Sequence, residues 1–316
     1  MLNKNQKKFF IILFIFGLVA LLPTLIVSIL NIANQREMIK SSIENEAFRL
    51  AKTMASQEQK NLDTIKNVLI SLSKYAEISD KNNNDCNRSM KTLLDYFNEP
   101  FPLYFNLTVA NINGDVICSA LDASGNVNLS DRYYFRQTIE TEDMSFSGYS
   151  IGRITKKPAL LFSYPIKDES GRINLVAVIS INIEMLNKQA TNLNLLNNDP
   201  SMTMTLLDDK NYIIIRQPEN EDLIGTIWPE GKISNFKETQ EGVGEGVDLD
   251  GVKRIFGFTT IPQESGPSHF NLLVGLSQDK INKEIIENKK IDIIIFVAGI
   301  IIAVLSSWLV GKKYFE

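Results

Sequence analysis

The chain has 316 residues, a formal net charge of -4, two cysteines and one histidine. Its charges are interspersed without a basic stripe, which excludes an electrostatic surface for nucleic acid. A single histidine and two distant cysteines exclude an ordinary metal site, so we expect no metal and no cofactor. No Ser/His/Asp set or phosphate-binding glycine loop occurs, and we therefore expect no catalytic activity in these residues.

Two apolar segments, residues 9–30 and 291–310, are each about the 20 residues that a helix needs to cross a bilayer. A cleaved signal peptide is the competing interpretation of the first, but its apolar run is too long and lacks a small-residue cleavage site. Lysines lie outside both segments, at positions 4, 7, 8, 312 and 313. The positive-inside rule therefore predicts that residues 1–8 and 311–316 are cytoplasmic and that the middle of the chain is outside.

A long amphipathic helix is predicted over residues 31–80, because apolar residues recur there at intervals of three and four. These residues are Ile39, Ile43, Ala47, Leu50, Met54, Leu62, Ile65, Leu69, Leu72 and Ala76. The stripe can pack on the domain that follows or on the same helix of a second copy. We expect a homodimer through this helix, and packing within the chain can coexist with it.

Two strand-rich units follow the helix, at residues 81–198 and 199–278. The first contains a short helix near 90–97, a hairpin of strands 106–112 and 116–120, a short helix beginning with Asp131 as its N-cap, strands 148–153, 159–166 and 174–183, and a helix 184–196. The second contains a hairpin of strands 202–207 and 212–217, a helix 232–239, and strands 252–260 and 270–276. The repeated order suggests duplication of one module and predicts an α+β fold with two antiparallel sheets. A connecting helix, 279–290, leads into the second apolar segment.

Cys86 and Cys118 both lie in the part of the chain that is predicted to be outside, where thiols are oxidised. An even number of cysteines there predicts one disulfide, with two buried free thiols as the alternative. The bond would close a loop of about 30 residues and stabilise the fold by roughly 3 kcal/mol.

Several short motifs occur in the order typical of one receptor family. They are Asn113-Gly114-Asp115-Val116-Ile117-Cys118-Ser119, Asp131-Arg132-Tyr133-Tyr134-Phe135, Gly148-Tyr149, Lys157-Pro158-Ala159-Leu160, Tyr164-Pro165-Ile166, Leu207-Asp208-Asp209, Asp250-Gly251-Val252 and Leu273-Val274-Gly275. With them the chain resembles the double Cache (dCache) family of extracytoplasmic bacterial sensors. The resemblance implies a membrane-distal PAS-like subdomain (81–198) and a membrane-proximal one (199–278), held in the periplasm by two helices of the inner membrane.

A narrower resemblance concerns the two cysteines and the tail 308–312. Their placing is similar to that in membrane-bound diguanylate cyclases, where a HAMP linker and an output domain follow. No Gly-Gly-Asp-Glu-Phe loop occurs in this sequence, so we expect any output enzyme to lie beyond residue 316. The alternatives are the sensor of a chemoreceptor or histidine kinase, and a protein-docking module without a small-molecule ligand.

The resemblance also implies a small-molecule pocket in the distal subdomain, with Arg132, Tyr134, Phe135, Tyr149 and Asn182 as its ligand-binding residues. Arg132 would supply a donor fork, and the aromatic rings would exclude water. Asn182 falls where amino-acid-binding members have an acidic residue, which disfavours amino acids as ligands. The alternative is structural: Arg132 pairs at a helix start, and the aromatic rings fill the core.

Overall fold

The protein is analysed as a computed structural model. The structure describes residues 4–79, 83–100, 102–123, 125–192, 201–234, 236, 239–262, 268–279, 294, 297–302 and 304–305. The chain forms two units, one of residues 1–44 with 277–316 and one of residues 45–276.

Helix α1 (Lys4–Ser79) confirms the long helix predicted near the N-terminus. Within the second unit most of its apolar stripe is buried, for example at Ala47 and Leu69, and Leu50 is partly buried. The helix lies directly on a strand, because a Cβ added at Gly257 would stand 2.3 Å from the backbone of Ala47. The stripe is therefore used within the chain, and a homodimer through α1 would have to use the polar face of the helix.

The first sheet is antiparallel and carries the elements of the predicted distal subdomain. Its strands are β1 (Tyr104–Asn111), β2 (Val116–Ser119), β3 (Ser145–Phe146), β4 (Ser150–Ile151), β5 (Pro158–Lys167) and β6 (Ile173–Asn182). Their order is β2-β1-β6-β5-β3, with β4 also pairing with β5. The helices are α2 (Asn83–Phe97), α3 (Tyr133–Thr141) and α4 (Ile183–Asn192). Helix α3 covers one face of the sheet through Tyr134 and Phe135, which pack on Leu161 and Val178.

The second sheet repeats the first in topology. Its strands are β7 (Met202–Asp208), β8 (Ile213–Gln217), β9 (Glu241–Val247), β10 (Lys253–Pro262) and β11 (His269–Ser277), in the order β8-β7-β11-β10-β9. Trp228 and Phe256 pack edge to face, with ring centroids 6.2 Å apart, in the core on the face opposite Gly257. The prediction of two tandem antiparallel sheets after a long helix is confirmed.

The helix predicted at residues 232–239 is wrong. Among the residues described there, none is helical, and Ile233 instead bridges to Gly246 of β9. Strand β9 was not predicted, because its alternating glycines have low strand propensity. The contacts of the strand explain the glycines: a Cβ at Gly244 would lie 2.1 Å from the Ser234 carbonyl oxygen, and one at Gly246 would lie 2.0 Å from that of Lys232. A neighbouring backbone therefore takes the space of both side chains.

The two predicted membrane spans are not tested by the structure. In the parts of the chain that the structure describes, no helix has the length and apolar character needed to cross a membrane. The side chains of residues 9–30, apart from Ile15 and Val19, and most of residues 291–310 lie outside the described set, as do residues 280–290 and 311–316. These segments stay predictions.

A disulfide joins Cys86 of α2 to Cys118 of β2, with Cα atoms 5.8 Å apart, as the cysteine count predicts. Helix α2 begins at Asn83, earlier than predicted, so the bond ties a helix and not a loop to the sheet.

We expect the double variant Cys86→Ser, Cys118→Ser to lose roughly 3 kcal/mol of unfolding free energy, because the unfolded chain regains the conformational freedom that the cross-link over a 32-residue separation removes. Urea denaturation measures this loss, and a reducing agent should destabilise only the wild type. An unchanged denaturation midpoint would contradict the prediction.

The contact between α1 and β10 gives a second prediction. We expect Gly257→Ala to lower the unfolding free energy by about 2–3 kcal/mol, because the added methyl group must displace helix backbone. Gly242→Ala in β9 is the matched control, since its Cβ would meet side-chain atoms and no backbone: the end of the Phe258 ring at 3.2 Å and Thr239 Oγ1 at 3.4 Å. Equal stability losses in the two variants, measured by urea denaturation, would show that α1 does not pack closely on Gly257.

Candidate functional site

A cleft opens on the α3 side of the first sheet, between the sheet, the helix and the loop after β4. It encloses about 20 Å³, room for about one water molecule. Its lining comes from β1, β5, β6, α3, the segment before α3 and the loop 152–155: Asn106, Thr108, Leu129, Tyr134, Gly152, Arg153, Ile154, Thr155, Leu161, Val178 and Ser180.

The floor of the cleft is polar, although the strands that form it are buried. Asn106 donates through its Nδ2 to Thr108 Oγ1 at 3.0 Å and to Ser119 Oγ at 2.8 Å, and its Oδ1 accepts from the backbone N–H of Leu121. The amide is thus fully paired. Ser180, which pairs with Asn106 across the strands, is 5 % exposed, and its hydroxyl makes no hydrogen bond within the described residues. Because buried polar groups nearly always have a partner, this hydroxyl is available to hydrogen-bond a molecule in the cleft.

Tyr134 forms the helix side of the cleft and is 3 % exposed. Burial raises the pKa of its hydroxyl to about 12, so the group stays neutral at physiological pH. Helix α3 is fixed to the sheet behind this residue, since Thr138 and Ser163 share a 2.7 Å hydrogen bond and Ser163 donates to the Tyr134 carbonyl oxygen. The tyrosine ring is therefore a rigid wall.

Arg153 provides the one cationic side chain of the cleft lining. Its guanidinium makes two parallel hydrogen bonds to Asp131, at 2.8 and 2.7 Å, and a further one to the Asn128 carbonyl oxygen. The hydrogen bond from Arg153 is the main cause of the lowered pKa of the Asp131 carboxyl. Asp131 does not cap α3 as predicted: Arg132 holds the N-cap position, without a side-chain cap bond.

Of the five predicted ligand-binding residues, only Tyr134 lines the cleft. Arg132 instead donates to the Ile151 carbonyl oxygen at 3.4 Å, and its Nε is buried without a partner among the described residues. Phe135 lies in the core of the subdomain, 1 % exposed. The prediction therefore found the right helix, but the cation that lines the cleft comes from the opposite loop.

Tyr149 and Asn182 make other contacts. Asn182 Oδ1 accepts from the backbone N–H of Met185, so its side chain caps α4. The Tyr149 ring stacks on Tyr212 of the second subdomain, with centroids 5.6 Å apart. The Tyr149 backbone N–H also donates to the buried carboxylate of Asp208, whose pKa is raised by burial. Tyr149 therefore belongs to the contact between the two sheets.

Ten of the eleven lining residues were not predicted, among them the polar residues Asn106, Thr108, Arg153, Thr155 and Ser180. The two β1 residues and Ser180 did leave a signal, because they are polar positions on one face of otherwise apolar strands. Arg153 left none, since its approach to the cleft depends on tertiary structure. Among the described residues, no group of three or more His, Cys, Asp or Glu side chains could hold a metal ion.

Similar folds occur in extracellular parts of bacterial receptors. The extracellular domain of the putative histidine kinase rpHK1S-Z16 matches 77% of this chain and 98% of its own length, at 16% identity and a TM-score of 0.62. The ligand-binding domain of the Pseudomonas fluorescens chemoreceptor CtaA, solved with L-isoleucine, matches 79% and 98% at 14% identity, with a TM-score of 0.59. That of Campylobacter jejuni Tlp3, solved with L-valine, matches 78% and 98% at 18% identity, with a TM-score of 0.55.

In sequence, the chain is 28% identical over 99 residues to sporulation kinase D of Bacillus subtilis. The match covers 31% of this chain and 20% of the kinase. These comparisons do not show the expected similarity to diguanylate cyclases. The family model for the Cache domain matches residues 35–285, which is most of the chain. The chain therefore belongs to the Cache domain family.

Proposed function

We propose that the chain is the sensing part of a transmembrane receptor and that it binds a small molecule in the cleft beneath α3. The observation that carries this proposal is the buried hydroxyl of Ser180, which has no partner within the described residues and lies on the floor of the cleft. Thr108 and Tyr134 add two further hydroxyl groups. A bound molecule would supply the missing partner. The Cache domain itself is a sensor and not a catalytic domain.

The lining favours a neutral or singly anionic ligand. Among the described residues no carboxylate lines the cleft, and the nearby carboxylate of Asp131 is bound by Arg153. A ligand ammonium group in the cleft could therefore hydrogen-bond to hydroxyl groups but would meet no free negative charge. A ligand carboxylate could bind the Arg153 guanidinium alongside Asp131. The chemoreceptors CtaA and Tlp3 were solved with amino acids, so amino acids are the alternative ligand class.

We further propose that residues 9–30 and 291–310 span the inner membrane and leave the two sheets in the periplasm, because both segments are apolar and lysines lie outside them. The output domain would follow residue 316. The similar proteins favour a kinase or chemoreceptor output, while a diguanylate cyclase output rests on the resemblance of the cysteine positions and the tail 308–312.

The segment Ser145–Thr155, here named the relay segment, connects the cleft to the second sheet. At one end, Gly152 and Arg153 line the cleft. At the other, Phe146 stacks on Phe270 of β11, with ring centroids 4.5 Å apart and planes 6° apart. The cleft is open to solvent and has room for about one water molecule, so a larger ligand would enter further if one wall moved outward. The loop 152–155 is the wall that belongs to neither the sheet nor α3. We propose that this displacement carries ligand occupancy to the second sheet.

The binding proposal is tested with the full chain, purified in detergent, in a thermal-shift screen. The screen uses two sets of compounds: one contains small carboxylates and neutral metabolites, and the other contains amino acids. A ligand at a hundred times its dissociation constant should stabilise the chain by about 2.7 kcal/mol. We expect hits in the first set, with affinities constant between pH 6 and 9, because neither Arg153 nor Tyr134, whose pKa is about 12, titrates there.

Ser180→Ala should weaken the affinity about fivefold, the effect of one lost hydrogen bond. Ser145→Ala is the matched control, because Ser145 is equally buried and its hydroxyl also has no partner, but it does not line the cleft. Equal affinities of wild type, Ser180→Ala and Ser145→Ala for every hit would overturn the assignment of the cleft.

The relay proposal is tested by hydrogen exchange with a ligand from the screen. In the wild type we expect ligand to change the exchange rates of the Lys210 and Tyr212 amides, which donate to Asp208 next to Tyr149. Tyr149→Ala should bind ligand within about threefold of wild type but lose this change, because the ring contact with Tyr212 is gone. Tyr96→Ala, an exposed tyrosine on α2, should behave as wild type. A ligand response that persists in Tyr149→Ala would contradict the relay.

A further inference from the structure

The two sheets can be compared residue by residue, because they share a strand order and one β-bulge. The bulge lies between Val109 and Ala110 in β1 and between Leu206 and Leu207 in β7. Positions at the same distance from the bulge therefore correspond. The polar floor of the cleft in the first sheet then has a defined counterpart in the second.

The counterpart of the cleft floor carries an arginine where the first sheet has a serine. Thr108 pairs with Ser119 across the first hairpin. The corresponding pair in the second hairpin is Thr205 with Arg216. Arg216 is 3 % exposed and donates to Thr205 Oγ1 at 2.7 Å. A buried cation thus points across the face that forms the cleft in the first sheet.

A second buried arginine reaches the same place. The counterpart of Ser180 is Gly275, by the pairing of β7 with β11. A Cβ at Gly275 would stand 2.8 Å from Arg254 Cδ, so the glycine leaves the space that this side chain occupies. Arg254 is 3 % exposed, and its Nε has no partner within the described residues.

The two arginines hold one carboxylate between them. Arg216 Nη2 lies 2.9 Å from Asp248 Oδ1, and Arg254 Nη1 lies 2.9 Å from Asp248 Oδ2. Thr203 donates to the same carboxylate at 2.9 Å. Arg254 also holds Asp250, which is half-exposed. Two guanidinium charges therefore face two carboxylates, and no charge is left for an external anion.

Asp248 reaches this position by departing from a turn pattern. Four turns among the described residues share one backbone hydrogen-bond pattern, and they begin at Asn111, Asp168, Asp208 and Asp248. In the first three, the Oδ1 of the first residue accepts from the N–H groups of the third and fifth residues. In the fourth, Asp250 accepts from the fifth residue instead, and the Asp248 carboxylate turns to the arginines.

We infer that Arg216 and Arg254 form a carboxylate-binding site in the second sheet, and that Asp248 of the same chain occupies it. The site lies where the cleft lies in the first sheet, and its donors suit a carboxylate. In its own turn the occupant accepts from the Leu249 N–H through Oδ1, while the N–H of the fifth residue is bound by Asp250 instead. The second sheet is thus filled from within and takes no external ligand. This inference does not depend on what the cleft binds.

The test uses the purified full chain and sodium formate as the probe. Asp248→Ala should lower the melting temperature by about 10 °C, because it leaves two buried guanidinium groups with one carboxylate. In 200 mM sodium formate, compared with sodium chloride at equal ionic strength, we expect this variant to regain about half of the loss. The wild type should melt at the same temperature in both salts. So should Asp168→Ala, which alters a turn of the same pattern that has no buried arginine.

Equal melting temperatures of Asp248→Ala in formate and chloride would show that the arginines form no carboxylate site. A formate-dependent rise in the wild type would show that Asp248 is not the occupant. If Asp248→Ala does not fold, Asp248→Asn keeps the shape and removes the charge. It should then melt several degrees below Asp168→Asn, and equal melting temperatures of these two variants would overturn the inference.

Discussion

Each sheet places polar side chains on a buried face, and the structure depends on how those groups are paired. A buried polar group without a hydrogen-bond partner lowers the stability of the fold by about 1–3 kcal/mol, more than one ordinary hydrogen bond contributes. The second sheet meets this constraint for its buried charges, because Asp248 neutralises Arg216 and Arg254, but Arg254 Nε has no partner within the described residues. The first sheet meets it for Asn106 but not for Ser180. The two sheets share one topology but differ in this pairing. A molecule bound on the first sheet could hydrogen-bond Ser180, whereas an anion at the second would have to compete with Asp248.

The fold was largely predictable, because its signals are local. Alternating apolar residues, five-residue turns with glycine or asparagine at the fourth position, and a helical stripe identify most elements within a few residues of their bounds. Strand β9 was missed for a non-local reason. Gly244 and Gly246 are required by the approach of another backbone segment, and no pattern within β9 itself indicates that contact. The same segment, around Ile233, was mistaken for a helix.

The site was less predictable, because single side chains with the right chemistry serve several purposes. Asn182 and Tyr149 have the polarity expected of ligand-binding residues, yet one caps a helix and the other packs between the sheets. Tyr134, another aromatic residue expected to contact a ligand, lines the cleft, and its ligand-binding role stays a prediction. The residues that were missed on the strands, such as Ser180, are polar positions in apolar strands. A search for such interruptions would have found the floor of the cleft, but not Arg153, whose position is set by a loop.

The difference between the two sheets also bears on how the second sheet would move when a ligand binds to the first. A ligand shifts a conformational equilibrium only by its different affinity for the two states. The cleft has about 20 Å³ of space, so in the proposed mechanism a larger ligand would favour the state in which the loop 152–155 is displaced. At its other end this segment contacts a sheet whose buried charges are already paired and whose geometry is therefore costly to change. The second sheet would then move with the relay segment as a body, because deforming it would separate Asp248 from its arginines.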